Sequence, residues 1–231
     1  MLLFSVIASA VAPGIALLTF FYLKDKYDAE PIHFIMRIFL LGLLIVIPVM
    51  IVQRGLTWGL GDHSLVQSFI VSSGVEELLK WLVLYFMVYN HVEFDEPYDG
   101  IVYAVTISLG FATVENIMYA WYSQASMGTM FIRALLPVSA HALFGVIMGY
   151  YFGLARFRKE GNPKRYLVYS LLIPWIFHGM YDLILTIVTN YWLWLIVPLM
   201  VILWYGGMNK VIRANNSSPF RFQKREEEVN T

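Results

Sequence analysis

The feature that most constrains this chain is a group of three charged residues inside an apolar stretch of membrane-spanning length. The stretch runs from Leu65 to Tyr89, and about 20 apolar residues suffice to cross a bilayer as a helix. Glu76, Glu77 and Lys80 lie near its centre. A charged side chain at the centre of a membrane costs about 2.5–3.5 kcal/mol on insertion scales. The stretch therefore predicts a transmembrane helix whose charged residues have a specific role.

Helix geometry gives these charged residues different neighbours. Glu76 and Lys80 are four residues apart, so they share one face of the helix and are able to pair. Glu77 lies about 100° around the helix axis and points towards a different neighbour. One interpretation is a salt bridge that locks two helices together. The other is a carboxylate pair that carries out catalysis or handles ions, since an ionisable residue inside a membrane is a functional candidate.

The composition of the chain indicates a polytopic membrane protein. Of its 231 residues, 59% are hydrophobic and only 14% are charged, whereas a soluble domain has about 25% charged residues. The formal net charge is zero, so we expect no nucleic-acid partner. The chain has no cysteine, which excludes disulfides, thiolate catalysis and cysteine-ligated metals.

Seven apolar runs predict an all-α bundle of about seven transmembrane spans. In chain order the runs are 2–23, 32–52, 65–89, 98–122, 129–155, 166–188 and 191–208. Residues 1–208 are then a single transmembrane domain, and polar residues 209–231 are a tail that we expect to be disordered. Pro48 predicts a kink in the second span, and residues 53–64 are expected to be a loop.

The basic residues between the runs predict the orientation in the membrane. With seven spans, Lys24, Lys26, five basic residues of the fifth loop and five of the tail fall on one side. The opposite loops contain Arg54, with Arg133 just inside the fifth run. Because loops rich in lysine and arginine stay in the cytoplasm, we expect the N-terminus outside and the tail in the cytoplasm.

Four of the predicted spans carry polar residues at a similar depth. In chain order these residues are Glu76, Glu77, Lys80, Glu115, Asn116, His141, His178 and Asp182. Five formal charges facing lipid would cost on the order of 15 kcal/mol, as much as the whole stability of a typical protein. We therefore expect these residues to face inward and to meet in one polar cavity.

The residue types in this cavity are suited to activating water. A carboxylate beside a second acid in a low dielectric can act as a general base, and Asn116 is a candidate hydrogen-bond donor to a developing oxyanion. We expect no cofactor, but two histidines and a glutamate also match the ligands of zinc hydrolases, so a divalent metal such as zinc stays open. His178 and Asp182, on one helix face, are either a catalytic pair or a pair that locks helices.

The combination of these motifs resembles the PrsW family of intramembrane proteases. The similarity extends over nearly the whole chain and is carried by FYLKD, VEELLK, YDGIVY, SLGFATVEN, RALLPVS, HALFGVIMG and HGMYD. The E-E-x-x-K and F-x-x-x-E-N motifs are also distantly similar to those of the type II CAAX prenyl endopeptidases. Those enzymes usually carry histidine at the position of Glu115, which argues against cleavage of prenylated peptides by this chain.

This resemblance implies a multi-pass protease of the bacterial cell membrane, with catalysis of the glutamate type. It assigns the catalytic roles to Glu76, Glu77 and His178. The supporting residues are then Lys80, Glu115, Asn116, His141 and Asp182. The implied substrate is a membrane-anchored anti-sigma factor of the RsiW type. Its first cut, on the extracytoplasmic side, leads to release of a stress sigma factor.

A transporter or proton-coupled channel is the alternative class, because carboxylates and histidines within a membrane also relay ions. Transporters usually contain two related halves with discontinuous helices, and this sequence shows no convincing repeat of that kind. A non-enzymatic membrane scaffold is a third class. It leaves the energetic cost of the polar residues unexplained.

Overall fold

The computed structural model describes residues 2–123 and 126–221, and within these residues the chain is a bundle of helices with no β-strand. The α-helices of this part are α1 (Leu2–Tyr22), α2 (Ile32–Leu44), α3 (Val46–Leu60), α4 (Ser64–Val66), α5 (Ser73–Met87), α6 (Asp99–Tyr122), α7 (Met127–Arg133), α8 (Ser139–Phe157), α9 (Pro163–Ile187) and α10 (Trp192–Asn216). Two π-helical segments, Gln67–Ser72 and Ala134–Val138, lead into α5 and α8. The predicted all-α class is confirmed.

Five helical segments in the described part of the chain are long and apolar enough to cross a membrane. They are Ile32–Leu60, Asp99–Tyr122, Met127–Phe157, Pro163–Ile187 and Trp192–Asn216. The apolar helix Ile7–Tyr22 is shorter. The continuous helix formed by α4, the first π-helical segment and α5 carries the three charged residues of the VEELLK motif. Seven spans therefore remain a prediction, whereas a multi-pass helical protein is established.

The break in the second predicted span lies at Ile45, three residues before Pro48. Proline has no N–H, and its ring clashes with the carbonyl four residues earlier. That carbonyl belongs to Leu44, where α2 ends. The next helix, α3, continues to Leu60, so the expectation of a loop over residues 53–64 is wrong for its first eight residues. No proline follows Pro48 to stop the helix in this region.

The last helix extends beyond the boundary that the sequence predicts. Residues 209–216, the expected start of a disordered tail, are the final two turns of α10. Val211 and Ala214 are buried in the core, and Asn215 Nδ2 donates to the Lys24 carbonyl at 3.2 Å. These contacts anchor the end of α10. Residues 222–231 lie outside the described residues, so the tail beyond Arg221 remains a prediction.

The bundle is built around α6, which packs against α1, α2 and α8. Its residues from Asp99 to Thr113 are all buried. Gly100 and Gly149 bring the backbones of α6 and α8 into contact, and a Cβ atom at Gly149 would overlap the backbone of Gly100. Small residues permit such close approach between membrane helices. This packing fixes the position of Glu115 relative to the helices on either side.

The loops predicted to be cytoplasmic meet at one end of the bundle. Tyr98 Oη, before α6, donates to the Phe21 carbonyl near the end of α1 at 2.7 Å. Arg156, near the end of α8, donates to the His91 carbonyl in the α5–α6 loop at 3.3 Å. The end of α10 joins them through its contact with Lys24. The basic loops and the described part of the tail thus share one end, although the side of the membrane on which it lies remains a prediction.

We expect single cysteines at the two ends of the bundle to differ in their reaction with a membrane-impermeant thiol reagent. Asp62, Asn190 and Glu160 are exposed residues between helices, and the chain has no cysteine of its own. Cysteine at Asp62 or Asn190 should react in intact cells. Cysteine at Glu160 should react only after permeabilisation, since it is expected to be cytoplasmic. Labelling of the Glu160 position alone in intact cells would reverse the orientation.

Candidate functional site

Polar side chains from four helices meet inside the bundle. They are Glu76, Glu77 and Lys80 of α5, Glu115 of α6, His141 of α8, and His178 and Asp182 of α9. We call these seven residues the polar cluster. The expectation that polar residues on separate spans meet therefore holds for seven of the eight predicted site residues.

Lys80 is the electrostatic centre of the polar cluster. Its Nζ lies 2.8 Å from Glu77 Oε1 and 3.4 Å from Glu76 Oε2. The same atom lies 3.3 Å from His141 Nδ1 and 4.4 Å from the centroid of the Phe111 ring. A buried charge is costly unless it is paired and hydrogen-bonded. These contacts satisfy the ammonium group, and they confirm the pairing of Glu76 with Lys80.

His178 has a carboxylate near each ring nitrogen. Its Nδ1 lies 2.9 Å from Glu77 Oε1. Its Nε2 faces Asp182 Oδ2 at 3.6 Å and Glu76 Oε2 at 3.9 Å. The ring stacks on Phe144, with 4.8 Å between the ring centroids. The imidazole is therefore fixed in plane and direction, and its Nε2 points into the space between two acids.

His141 connects Lys80 to Glu115. An ammonium group is only a donor, so Lys80 donates to His141 Nδ1. The proton of a neutral imidazole is then on Nε2, which donates to Glu115 Oε2 at 2.9 Å. This hydrogen-bond network assigns the tautomer. The two imidazoles, His141 and His178, are close neighbours, with 5.1 Å between their ring centroids.

The π-helical segment Gln67–Ser72 joins α5 to α9. A π turn disturbs the regular backbone hydrogen bonds of an α-helix, and such turns are frequent at functional sites. The Phe69 carbonyl accepts a hydrogen bond from Trp175 Nε1 of α9 at 2.5 Å. Ser72 Oγ donates to Asp182 Oδ2 at 2.6 Å. The segment therefore fixes Asp182, a function that sequence reasoning did not assign to Ser72.

Gln53 of α3 is a site residue that sequence reasoning missed. Its Nε2 donates to Glu76 Oε1 at 3.2 Å. The hydrophobic pattern predicts a loop that begins at residue 53. It therefore does not indicate that this amide lies on a helix facing α5. A polar residue at the end of an apolar run was the only signal available.

Asn116 differs from the other predicted site residues because it points away from the polar cluster. Its Nδ2 donates to the Ala10 carbonyl at 3.0 Å, and its Oδ1 accepts from Arg133 Nε at 2.7 Å. Consecutive helical residues point about 100° apart, so Asn116 faces α1 while Glu115 faces His141. These contacts hold α1 and α7 to α6 and do not favour Asn116 as an oxyanion donor.

The polar cluster changes from fully buried to exposed across its width. The exposed fraction of the side chain is 0% for Glu77, 9% for Glu76, 22% for Asp182 and 43% for Glu115. Glu115 and Asp182 therefore mark the side on which the polar cluster is open to the outside of the bundle. Of the two acids of α5, Glu76 is nearer to that opening.

Four side chains of the polar cluster are also placed to hold a metal ion. Glu76, Glu77, His141 and His178 each offer a ligand atom, and these four atoms lie within 4.8 Å of one another. Glu77 Oε2 is buried and has no hydrogen-bond partner among the described residues. Imidazole nitrogens and carboxylate oxygens are usual zinc ligands. The donor set therefore fits a divalent metal.

A membrane-embedded helical bundle with buried acids and imidazoles at one opening fits two classes of protein, an intramembrane hydrolase and an ion-handling protein. Comparison with known proteins distinguishes between these classes. The family model described as "PrsW family intramembrane metalloprotease" matches residues 30–206. The chain belongs to this family of intramembrane proteases, and it is a multi-pass bacterial membrane protein.

Individual relatives match the chain over most of its length. It is 48% identical to Protease PrsW of Bacillus subtilis (strain 168) over 215 residues, 93% of this chain and 97% of that protein. It is 47% identical to Protease PrsW of Geobacillus kaustophilus (strain HTA426) over 213 residues, 92% and 93% of the two chains. For Protease PrsW of Clostridioides difficile (strain 630), the identity is 32% over 203 residues, 84% and 85%. No solved structure gives a significant match.

Proposed function

We propose that this intramembrane protease cuts a membrane-anchored anti-sigma factor of the RsiW type, using water activated by Glu76. The observation that carries the chemical part is the arrangement of Glu76 beside a fixed Glu77–Lys80–His178 group at the opening of the polar cluster. The substrate class rests on the resemblance to the PrsW family. Cleavage on the extracytoplasmic side rests on the same resemblance and is compatible with the orientation that the basic loops predict.

The two glutamates have different surroundings, which supports different roles. Glu77 is fully buried, and its Oε1 contacts both Lys80 and His178. Glu76 lies closer to the opening, and its shortest contact within the polar cluster is the 3.4 Å pair with Lys80. A general base must reach the water from which it takes a proton. We therefore assign this role to Glu76, while Glu77 orients the imidazole of His178.

The attacking water fits between Glu76, Asp182 and His178. The separations of 3.6 Å and 3.9 Å from His178 Nε2 to the two carboxylates exceed direct hydrogen bonds, and polar groups at such separations are commonly bridged by water. Glu76 takes one proton as the water oxygen bonds to the peptide carbon. The protonated Glu76 then gives that proton to the amide nitrogen as the C–N bond breaks. Proton transfer of this kind contributes about 10²–10⁴-fold to rate.

The family description names a metalloprotease, and this chain has residues that fit a metal. Glu77, His141 and His178 would hold it, which is the two-histidine, one-glutamate set of several zinc hydrolases. A bound divalent ion supplies polarisation of the carbonyl and a lower pKa of water. Glu76 stays available as the proton acceptor, and Asp182 keeps its hydrogen bond from Ser72. The role assigned to Glu76 is therefore the same with and without a metal.

The proposal is tested with the purified protein in detergent and a tagged anti-sigma factor that spans the membrane. We expect one cut in the extracytoplasmic part of the substrate. Adding a chelator, and then restoring zinc, decides whether a metal takes part. An intact substrate under conditions where the protease remains folded would overturn the assigned substrate class. Cleavage in the cytoplasmic part would overturn the predicted orientation.

We expect Asp182→Asn to reduce cleavage by about 10–100-fold, the usual effect of removing a residue that orients a functional histidine. His178→Ala should reduce it further, because it removes the imidazole between Glu77 and the proposed water. Thr186→Ala is a matched control one turn further along α9, where the side chain is exposed and donates only to the Asp182 carbonyl. Greater damage from Asp182→Asn than from His178→Ala would reverse this order of roles.

A further inference from the structure

A second group of acids lies at the end of the bundle where α5 stops and α6 begins. Asp25 comes from the α1–α2 loop, Glu96 from the α5–α6 loop, and Asp99 is the first residue of α6. One carboxylate oxygen from each lies within 4.8 Å of the other two. We call these three residues the carboxylate triad. Met87, at the end of α5, is ten residues beyond Glu77, or about 15 Å along the helix, so this group is separate from the polar cluster.

Four oxygens of the carboxylate triad are buried and have no hydrogen-bond partner within residues 2–123 and 126–221. They are Asp25 Oδ2, Asp99 Oδ1 and both carboxylate oxygens of Glu96. Glu96 is 0% exposed and Asp99 is 1% exposed. Burying a carboxylate without compensation is expensive, and buried charges are normally paired or bound to a metal. The fully enclosed Glu96, directed at two other acids, is therefore evidence for a missing positive ligand.

The remaining oxygen of Asp99 is occupied in a way that holds the group in place. Asp99 Oδ2 accepts hydrogen bonds from the backbone N–H groups of Asp95 at 2.9 Å and Glu96 at 2.7 Å. This fold of the chain before α6 fixes Oδ1 towards the other acids. Glu30 lies nearby, but its carboxylate accepts a hydrogen bond from Tyr103 Oη. The buried carboxylate oxygens without a partner at this end are therefore those of the three triad residues.

We propose that the carboxylate triad is a binding site for a hard divalent cation such as Ca²⁺. Its free ligand atoms are all oxygens, which favour Ca²⁺, Mg²⁺ or Mn²⁺ over zinc. A carboxylate oxygen from each residue lies within 4.8 Å of the other two, which is close enough for one ion to bind all three, since Ca²⁺–oxygen distances are 2.3–2.6 Å.

A cation in the carboxylate triad would join three segments that are distant in sequence. It links the α1–α2 loop, the α5–α6 loop and the start of α6. The end of α10 is tied to the same place, because Asn215 Nδ2 donates to the Lys24 carbonyl beside Asp25. The bound ion would stabilise this end of the bundle. It would act through the folded structure, with no contact to the polar cluster.

The test is cation binding by the full chain in detergent, measured as retained ⁴⁵Ca²⁺ and as a shift in thermal unfolding. We expect one Ca²⁺ per chain. At 100 times the dissociation constant, the unfolding temperature should rise by about 5–10 °C. Glu96→Gln should lose both effects. Glu160→Gln is the matched control, because Glu160 is an exposed glutamate in the α8–α9 loop, and it should behave like the unchanged protein.

Two further variants keep the result decisive. Asp25→Asn, at a half-buried position, serves where Glu96→Gln does not fold, and it should also weaken binding. Glu76→Gln, which keeps the Lys80–Glu77 ion pair, should bind Ca²⁺ normally, which separates this site from the polar cluster. Binding of Mg²⁺ that is lost in Glu96→Gln or Asp25→Asn also supports a hard-cation site. Retained binding in both triad variants, or no binding of Ca²⁺ and Mg²⁺ at about 1 mM, the weak end of protein calcium sites, would overturn the proposal.

Discussion

Replacing Glu76 by glutamine is expected to abolish cleavage while the protein folds and inserts normally. Glutamine keeps the volume of the side chain and an oxygen to accept from Gln53, but an amide cannot take a proton from water. The loss of a general base predicts a fall in kcat of about 10²–10⁴-fold. Lys80 retains its closer counter-charge, Glu77 Oε1 at 2.8 Å. Stability should therefore change much less than activity.

The measurement compares cleavage of the tagged substrate with the amount of protease in the membrane. Glu160→Gln makes the same chemical change at an exposed loop position and should leave both quantities unchanged. The double variant Glu76→Gln/Glu77→Gln should leave the substrate uncut, and it should also be less stable, because Lys80 loses both of its counter-charges. Normal cleavage by that double variant would rule out water activation by these glutamates, with or without a metal.

The convergence of the polar cluster could be predicted because the membrane leaves few alternatives. Charged residues on separate apolar helices are too costly to face lipid, so Glu76, Glu115 and Asp182 had to point into the bundle. The i,i+4 spacing of Glu76 with Lys80, and of His178 with Asp182, correctly indicates shared faces, since both pairs are in contact. Where a helix is regular, the sequence therefore predicts the depth and the helix face of its polar residues.

The direction of a side chain could not be predicted in the same way where it depends on the packing of neighbouring helices. Asn116 follows Glu115 directly, and only the packing of α1 and α7 shows that its amide is used by Ala10 and Arg133. The π-helical segments are equally hidden, because their extra residue depends on tertiary contacts such as that of Trp175 with Phe69. The pattern of polar residues on the apolar spans therefore predicts the polar cluster, but not the neighbouring contacts and π-helical segments that hold it in place.

The carboxylate triad could not be predicted from the sequence for a different reason. Charged residues in short loops between membrane helices are ordinarily solvated, so Asp25 and Glu96 give no signal by themselves. Glu96 is buried at the end of the bundle where the ends of α1 and α10 meet the start of α6, and the contacts of Tyr98 with Phe21 and of Asn215 with Lys24 hold these elements together. Both residues lie in loops outside the membrane-spanning helices, where burial raises the pKa of Asp25 to about 7 and that of Glu96 to about 8.

Replacing Lys80 by methionine is expected to have the largest effect on stability. The ammonium group is fully buried and contacts Glu77, Glu76 and His141. Methionine fills much of the space but leaves two carboxylates without their counter-ion. Removing one partner of a buried ion pair typically costs about 3–5 kcal/mol, and the free energy of unfolding in detergent should fall by this amount. Lys159→Met, at an exposed loop position, is the control and should change it little.

The double variant Glu77→Gln/Lys80→Met separates charge compensation from catalysis. Removing both members of a buried pair is often close to neutral, because the desolvation cost disappears together with the attraction. We therefore expect the double variant to recover most of the stability that Lys80→Met loses. It should nevertheless remain inactive, because His178 Nδ1 loses the carboxylate that lies 2.9 Å away. A double variant as unstable as Lys80→Met would show that Lys80 acts mainly through its packing against Phe111 and His141 and not as the counter-ion of Glu77.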